Sequence, residues 1–485
     1  MSNEGNLLYN IIDGQKCQPR QGQYISKINP ATGLELYKIP QSTKEDVEQA
    51  VQVAQNTLNE HWKKTSYEYR SQCLYRVAEL LEDRLEEFAI AESNDTGKPI
   101  WLTRSVDIPR AVHNLRFFAG SILHQETGSH HMADAINYTI RKPLGVVALV
   151  TPWNLPLYLL TWKLAPALAM GNTIVAKPSE MTPRTATMLC ELFEEAHLPR
   201  GIFNVIHGEG PSAGAPLIEH PIVKAVSFTG GTKTGEIVAK SAAPQFKKLS
   251  LELGGKNSSI VFDDCDFTST VQGVARAGFL NQGQICLCGS RVLVQKSIYH
   301  QFVDALVAEL QSWKVGNPLD EQNKMGALIS FAHREKVEGY IQKARDLKGT
   351  IRIGGKRPPN LHAPFDTGAF LEPTIITDVD PNCAVSMEEI FGPVVVVHPF
   401  SDEEEAISIA NSVEYGLAAS VWTQNVQRAH RVSAQLDTGM VWVNTWLKRD
   451  LRVPFGGVKN SGVGREGGRM SLEFYSESQN ICIQL

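Results

Sequence analysis

Between Gly145 and Leu253 the chain repeats one unit, a short apolar or β-branched run followed by a stretch of helical periodicity. That repetition restricts the fold more than any other feature. The runs are 145–150, 172–176, 202–206, 225–228 and 249–253. One of the helices between them opens with Thr182 as cap and Pro183 at the first helical position. Strands that are apolar throughout and alternate with helices predict an α/β fold, a doubly wound parallel sheet covered on both faces. Ligands bind such sheets at the carboxyl ends of the strands.

A second α/β region follows Gly254. It is read as a helix over 267–279, a strand over 292–295, a helix over 298–313, and strands over 374–377, 394–397 and 439–444. Upstream, Leu7 to Leu36 reads as short strands punctuated by Asp13-Gly14 and by the turn from Asn29 to Gly33. Ser42 and Glu45 form an expected capping box ahead of a helical face of Val47, Val51, Ala54, Leu58 and Trp62. Ser66 opens a longer helical stretch, and another runs from Leu102 to Leu123 despite Pro109. Between His124 and Thr139 the period is lost, as in a loop or a detached arm. No internal repeat or low-complexity linker appears, so the domains are expected to interleave.

The charge balance, 47 basic against 52 acidic residues for a net charge of -5, carries no footprint for nucleic acid or an anionic membrane. No apolar run approaches the roughly 18 to 20 residues of a membrane span. The start Met1-Ser2-Asn3-Glu4-Gly5 lacks a basic segment followed by an apolar one, so a cytoplasmic location is expected. The eight cysteines form no dense framework and are expected to be thiols. Cys286 and Cys288 lack the second ligand pair of a zinc site, and no metal is expected.

Cys286 is the candidate nucleophile. It follows a Gly-containing turn, Asn281-Gln282-Gly283-Gln284, and precedes a strand, which places a thiol at the end of an element. The alternative reading is a small apolar core residue. Three glycine motifs compete for a phosphate. Gly208 to Ala213 fits the dinucleotide pattern but lacks the acidic residue about 20 positions on. Gly210 to Gly214 overlaps it in the form of a nucleophile elbow around Ser212, with Pro211 ill suited to the turn. Gly230 to Glu236 looks like a phosphate loop with Glu236 where a lysine should stand, although its glycines before a helix still suit a phosphate.

Seven motifs draw these pieces together: Thr151-Pro152-Trp153-Asn154, Lys177-Pro178-Ser179-Glu180, Phe228-Thr229-Gly230-Gly231, Glu252-Leu253-Gly254-Gly255-Lys256, Gln282-Gly283-Gln284-Ile285-Cys286, Glu389-Ile390-Phe391-Gly392-Pro393 and Pro454-Phe455-Gly456-Gly457. In order and spacing the chain resembles the aldehyde dehydrogenase superfamily almost end to end. The resemblance implies a Rossmann-like NAD-binding domain from 1–123 and 143–253, an α/β catalytic domain from 254–468, and a small β oligomerisation arm from 124–142 and 469–485.

It also implies roles. Cys286 attacks the aldehyde, Asn154 and the backbone N–H of Cys286 hold the oxyanion, and Glu252 activates water against the resulting thioester. Cys288 is a bystander. The implied cofactor is NAD. Lys177 and Glu180 would hydrogen-bond its adenosine ribose, Glu389 its nicotinamide ribose, and Phe391 would pack near the nicotinamide. Thr151, Pro152, Trp153, Ser179, Gly210, Gly214, Phe228, Gly230, Gly231, Thr234 and Leu253 complete the implied cofactor set. A carboxylate at the ribose 2′-OH disfavours the 2′-phosphate of NADP. Gly231 departs from the serine that many relatives carry.

The stretches from Asn444 to Phe455 and from Thr103 to Arg110 resemble the subgroup that oxidises 2-aminomuconate and 2-hydroxymuconate semialdehydes. In that subgroup arginines at Arg104 and Arg449 would clamp the distal carboxylate of a small-molecule aldehyde. The arm near His124 to Arg141, with the strand Ile481 to Leu485, implies a homodimer or homotetramer.

Overall fold

The computed structural model describes residues 7–485; Met1 to Gly5, read for a targeting segment, lie outside them. All five expected strands form, and they make the parallel centre of an eight-stranded sheet. Its order is Gln15–Cys17, Asn10–Ile12, Phe203–Val205, Thr173–Lys177, Val146–Val150, Val223–Thr229, Lys248–Glu252 and Gly462–Val463. The central strands Val146–Val150 and Thr173–Lys177 are buried throughout, as expected where helices cover both faces. Val146, Val147, Ala148 and Leu149 have no exposed surface, and they alternate between two apolar cores, Val147 and Leu149 in one and Val146 and Ala148 in the other.

A second, seven-stranded sheet runs Thr350–Ile353, Thr374–Thr377, Val394–Phe400, Arg291–Gln295, Ser258–Val261, Ala418–Trp422 and Met440–Val443. Two of its inner strands, Ser258–Val261 and Ala418–Trp422, were not anticipated, because two serines open the first and two alanines the second. The strand Gly462–Val463 pairs antiparallel with Lys248–Glu252 and so belongs to the first sheet. Backbone hydrogen bonds therefore cross the boundary expected at Gly254, and the interleaving is literal.

Several local expectations shift. The capping box is made by Thr43 and Asp46, one residue later than expected, because the Ser42 hydroxyl is engaged with the Asn10 amide. The helix expected to begin at Pro183 spans Arg184–Glu195, with Pro183 as its cap. Ser66 does cap the helix Tyr67–Asp83, accepting from the Tyr69 N–H. The helix expected from Leu102 to Leu123 contains a π turn over Thr103–Asp107 and resumes as Ile108–Ser121. Pro109 thus falls just beyond the π turn, in a run that is helical on both sides, where its missing N–H removes one bond from the ladder.

The aperiodic stretch is an arm. Ser129–His131 and Ala135–Pro143 join Ser476–Gln484 in a three-stranded antiparallel sheet. Ser129–His131 is exposed throughout, Ser476–Gln484 nearly so, and Ala135–Pro143 is half-buried along most of its length, so no buried face imposes a period on the sequence. No described helix is long and apolar enough to cross a membrane.

Candidate active site

The loop that presents Cys286 is built from unusual backbone. Asn281, Gln282 and Gly283 adopt φ of 52°, 56° and 68°, three left-handed residues in succession. Glycine alone takes this region freely, and two non-glycine residues there store strain of about 1 kcal/mol or more each. Buried hydrogen bonds hold them: Asn281 Nδ2 donates to the Asn154 carbonyl at 3.2 Å, and Gln282 Nε2 to the Ala327 carbonyl at 2.8 Å. A Cβ on Gly283 would come within 2.1 Å of the Gly392 carbonyl oxygen, so the Gln282-Gly283 and Gly392-Pro393 motifs meet by direct backbone approach.

Cys286 opens onto a cavity of about 210 Å³ at the carboxyl ends of the first sheet. The cavity is lined from one side by Pro152, Trp153, Asn154, Thr229, Gly230, Gly231, Leu253 and Gly254, and from the other by His333, Lys336, Glu389 and Phe391. Cys288 is buried away from it, against the Leu280 carbonyl. Burial raises the Cys286 thiol far above its ordinary range, with the carboxylates of Glu252 and Glu389 adding to the effect. Cys288 is pushed up to about 12, mainly by burial.

Asn154 is held tightly. One hydrogen of its amide goes to the Gln284 carbonyl at 2.9 Å, which fixes the orientation and leaves the second hydrogen free. Glu252 ends the strand Lys248–Glu252 and is buried. Its Oε1 has no protein partner and faces Gly456, where an added Cβ would stand 2.7 Å away. Burial and the neighbouring Glu466 push its carboxyl well above the usual range, while Lys163, Arg449 and Arg465 pull the other way. A raised carboxyl is suited to exchanging protons near neutrality.

A dinucleotide suits the other lining residues. Glu389 accepts from the Gly255 N–H at 2.8 Å, and a Cβ on Gly254 would stand 2.4 Å from its carboxylate. Trp153 and Phe391 meet edge to face with ring centres 5.3 Å apart. Gly231 caps the helix Thr232–Ala242, whose free N–H groups favour an anion. A Cβ at Gly231 would meet nothing within 4 Å, so the absent serine leaves open space at this cap. Gly230 is tighter, its Cβ position lying 2.4 Å from the Phe228 ring.

Other expected residues lie at neighbouring strand ends. Lys177 is buried, not solvated, and donates to the Gly208 carbonyl at 2.8 Å and to Glu180 at 3.4 Å. Burial lowers its ammonium. Ser179 accepts from the Met181 N–H, and Thr151 bonds the Lys177 carbonyl through its backbone. Thr234 is exposed on the helix after Gly231. Gly210 to Gly214 form a π turn before a helix of only Ala215–Glu219, and Gly214 packs near the Lys177 stem.

The two expected arginines part company. Arg449 does not line the Cys286 cavity but a separate one of about 200 Å³ shared with Trp442 and Pro454: its guanidinium carbon is 3.9 Å from the Phe455 ring centre, 4.3 Å from Trp162 and 5.6 Å from Tyr158. Nη1 donates to the Tyr158 hydroxyl, and Nη2 is buried without a partner. Arg104 is not brought there. Glu86 holds it through two hydrogen bonds of 2.7 Å, and Glu321 takes a third nitrogen. Arg110, six residues on and beyond the π turn, lies over Tyr158 at 6.0 Å. Arg110 stands in the same motif as Arg104, and spacing alone gives it no role. No motif marks His333, whose Nε2–H donates to the Phe391 carbonyl at 2.7 Å, or Lys336, which also lines the cavity. Among the described residues no cluster of potential ligands could hold a metal.

The Cys286 thiol and the free amide hydrogen of Asn154 meet at one cavity, with the buried Glu252 carboxyl on the adjoining strand end of a doubly wound α/β sheet. The chain belongs to the aldehyde dehydrogenase family, whose profile matches residues 17–481. It is similar to the 2-aminomuconic semialdehyde dehydrogenase of Bos taurus, at 49% identity over 100% of both chains. The 2-hydroxymuconic semialdehyde dehydrogenase of Pseudomonas sp. (strain CF600) is 47% identical over 98% of this chain and 99% of its own. The NAD+ complex of aldehyde dehydrogenase from Bacillus cereus superposes with a TM-score of 0.96 at 36% identity, over 100% of this chain and 99% of that one. This protein is an aldehyde dehydrogenase.

Proposed function

We propose that the protein oxidises a carboxylate-bearing semialdehyde to the acid with NAD, through a thioester on Cys286. Our assignment is 2-aminomuconate 6-semialdehyde, with 2-hydroxymuconate semialdehyde as the alternative favoured by the Pseudomonas relative. The observation that carries the assignment is Arg449, a cation boxed by three aromatic rings, with a buried Nη2 that no protein atom satisfies. A buried unpaired donor of this kind is costly unless a ligand completes it, and a carboxylate does so with charge as well as hydrogen bonds. Arg110, whose guanidinium also lies against the Tyr158 ring, replaces Arg104 as the second cation of the clamp.

The chemistry follows from the lining. An aldehyde gives up no hydride until its carbon is tetrahedral, and the Cys286 thiolate makes it so. The oxygen left negative takes the free hydrogen of the Asn154 amide and the Cys286 backbone N–H. NAD supplies the hydride acceptor, in the cleft of Trp153, Gly230, Leu253, Glu389 and Phe391. Glu252 then takes a proton from the water that cleaves the thioester. Lys177 and Glu180 face the adenosine end, with a carboxylate that disfavours a 2′-phosphate.

We assign residues 1–123 and 143–253 to cofactor binding, 254–468 to catalysis with the strand Gly462–Val463 lent to the first sheet, and 124–142 with 469–485 to assembly as a homodimer or homotetramer. The unpaired cysteines suit the cytoplasm. The deciding experiment is NADH formation from both muconic semialdehydes and a set of simple aldehydes, ranked by kcat/KM. Preference for an uncharged aldehyde by tenfold or more overturns the substrate assignment.

A further inference from the structure

Asn154 stands just ahead of the helix Pro156–Ala169, whose first intrahelical bond runs from the Leu159 N–H to the Leu155 carbonyl, so the Asn154 carbonyl must find its partners outside the helix. Two side chains satisfy the carbonyl instead. Asn281 Nδ2 reaches it from the nucleophile loop at 3.2 Å, and the Lys98 ammonium reaches it from the opposite side at 2.7 Å. Lys98 in turn donates to Asp107 Oδ2 at 2.6 Å, at the end of the π turn, and both side chains are at most 1% exposed. Lys98 does not line the cleft, so it touches neither substrate nor cofactor.

A buried ion pair is a poor source of stability, since desolvation offsets most of its attraction. What Lys98 adds is a charged donor on the one peptide whose side chain faces the aldehyde oxygen. We propose that Lys98 is a positioning residue for the oxidation: it fixes the Asn154 peptide so that the free amide hydrogen meets the oxyanion, and Asp107 fixes Lys98. The proposal rests on the reading of Asn154 as an oxyanion donor. Displacements of about 1 Å in such a donor cost on the order of a hundredfold in rate. Asp107 also stands three residues before Arg110, so the same pair ties the oxyanion donor to the helix that carries the carboxylate clamp.

The test compares four variants of the full enzyme, Lys98→Met, Lys98→Met with Asp107→Asn, Asn154→Ala, and Lys98→Met with Asn154→Ala. The readouts are the NADH burst rate, kcat, KM, NAD binding by protein fluorescence, and Tm. Lys98→Met is expected to slow the burst and kcat about ten- to a hundredfold with NAD binding within threefold of wild type. Neutralising Asp107 as well should return Tm toward wild type while kcat stays low. If Lys98→Met alone fails to fold, this double variant carries the comparison. On the Asn154→Ala background, Lys98→Met should add less than about threefold, since the two act as one unit. Recovery of wild-type kcat together with Tm in the neutral pair would reduce Lys98 to charge compensation and overturn the inference. So would losses that multiply in the Lys98, Asn154 double variant. An Asn154→Ala rate within threefold of wild type removes the oxyanion reading itself, and the inference with it.

Discussion

Arg449 donates its Nη1 hydrogen to the Tyr158 hydroxyl, and the ring of that tyrosine carries Arg110, its guanidinium carbon 6.0 Å from the ring centre. Both cations therefore stand against one aromatic ring. Each hydrogen bond to a charged group is worth roughly 1.5 to 3 kcal/mol, so Arg449→Ala or Arg110→Ala should lower kcat/KM for a muconic semialdehyde about ten- to 150-fold. A simple aliphatic aldehyde should stay within about threefold, because a distal clamp serves only substrates that reach it. Arg104→Ala should leave both substrates within threefold, its partners being Glu86 and Glu321. Parallel losses on both substrates would show that Arg449 and Arg110 hold the fold instead.

Cys286→Ala should abolish NADH formation, and Cys288→Ala should keep most of it, since only Cys286 reaches the cleft. The raised thiol of Cys286 sets a sign for pH. Below its pKa the thiolate fraction rises about tenfold per pH unit. Inactivation by iodoacetamide should therefore quicken steadily from pH 6 to pH 9 in the enzyme without cofactor. A flat profile would contradict the buried, carboxylate-flanked thiol described here.

Glu252→Gln keeps shape and removes the proton acceptor. Acylation should survive and thioester hydrolysis should not, giving a burst of about one NADH per site followed by a stall. In the wild type the hydrolytic step should gain rate as pH rises, because burial and Glu466 keep the carboxyl protonated to higher pH than usual. Stopped-flow absorbance separates the two phases, and absence of a burst would move Glu252 to an earlier step.

NAD should outperform NADP, and Glu180→Gln should narrow the difference by removing the charge that opposes a 2′-phosphate. Lys177, paired with Glu180 at 3.4 Å, would then be free to meet that phosphate. A ratio of kcat/KM values for the two cofactors that does not move in the variant would place the discrimination elsewhere.

The parts of this molecule legible in one dimension are those that short-range chemistry fixes. The run of Val146, Val147, Ala148 and Leu149 announced a central strand because nothing else buries such a run so completely. Cys286, Glu252 and Asn154 were singled out through motifs shared with the family, two of which owe their glycines to close approaches, Gly283 to the Gly392 carbonyl and Gly456 to the Glu252 carboxyl. The motif pointed to Arg104 and not to Arg110, because Arg104 lies inside a π turn that changes its direction relative to Arg110 beyond it, and spacing alone does not reveal that turn. Lys98 gave no signal: its importance comes from contacts with Asp107 and, 56 residues on, Asn154. The strand Ser258–Val261 was missed because its two serines look like loop until Ser259 is seen hydrogen-bonded to Ser420 in the sheet interior.

The left-handed succession of Asn281, Gln282 and Gly283 sets the mutational vocabulary of the loop before Cys286. Position 283 admits a single letter, since any side chain collides with the Gly392 carbonyl. Positions 281 and 282 should admit glycine, asparagine and aspartate more readily than any β-branched residue, because backbone handedness is selected there alongside the buried hydrogen bonds of the Asn281 and Gln282 amides. A saturation library read by NADH formation should therefore sort by conformation first and by chemistry second, and valine, isoleucine and threonine should be the rarest survivors in a stretch that never touches the aldehyde.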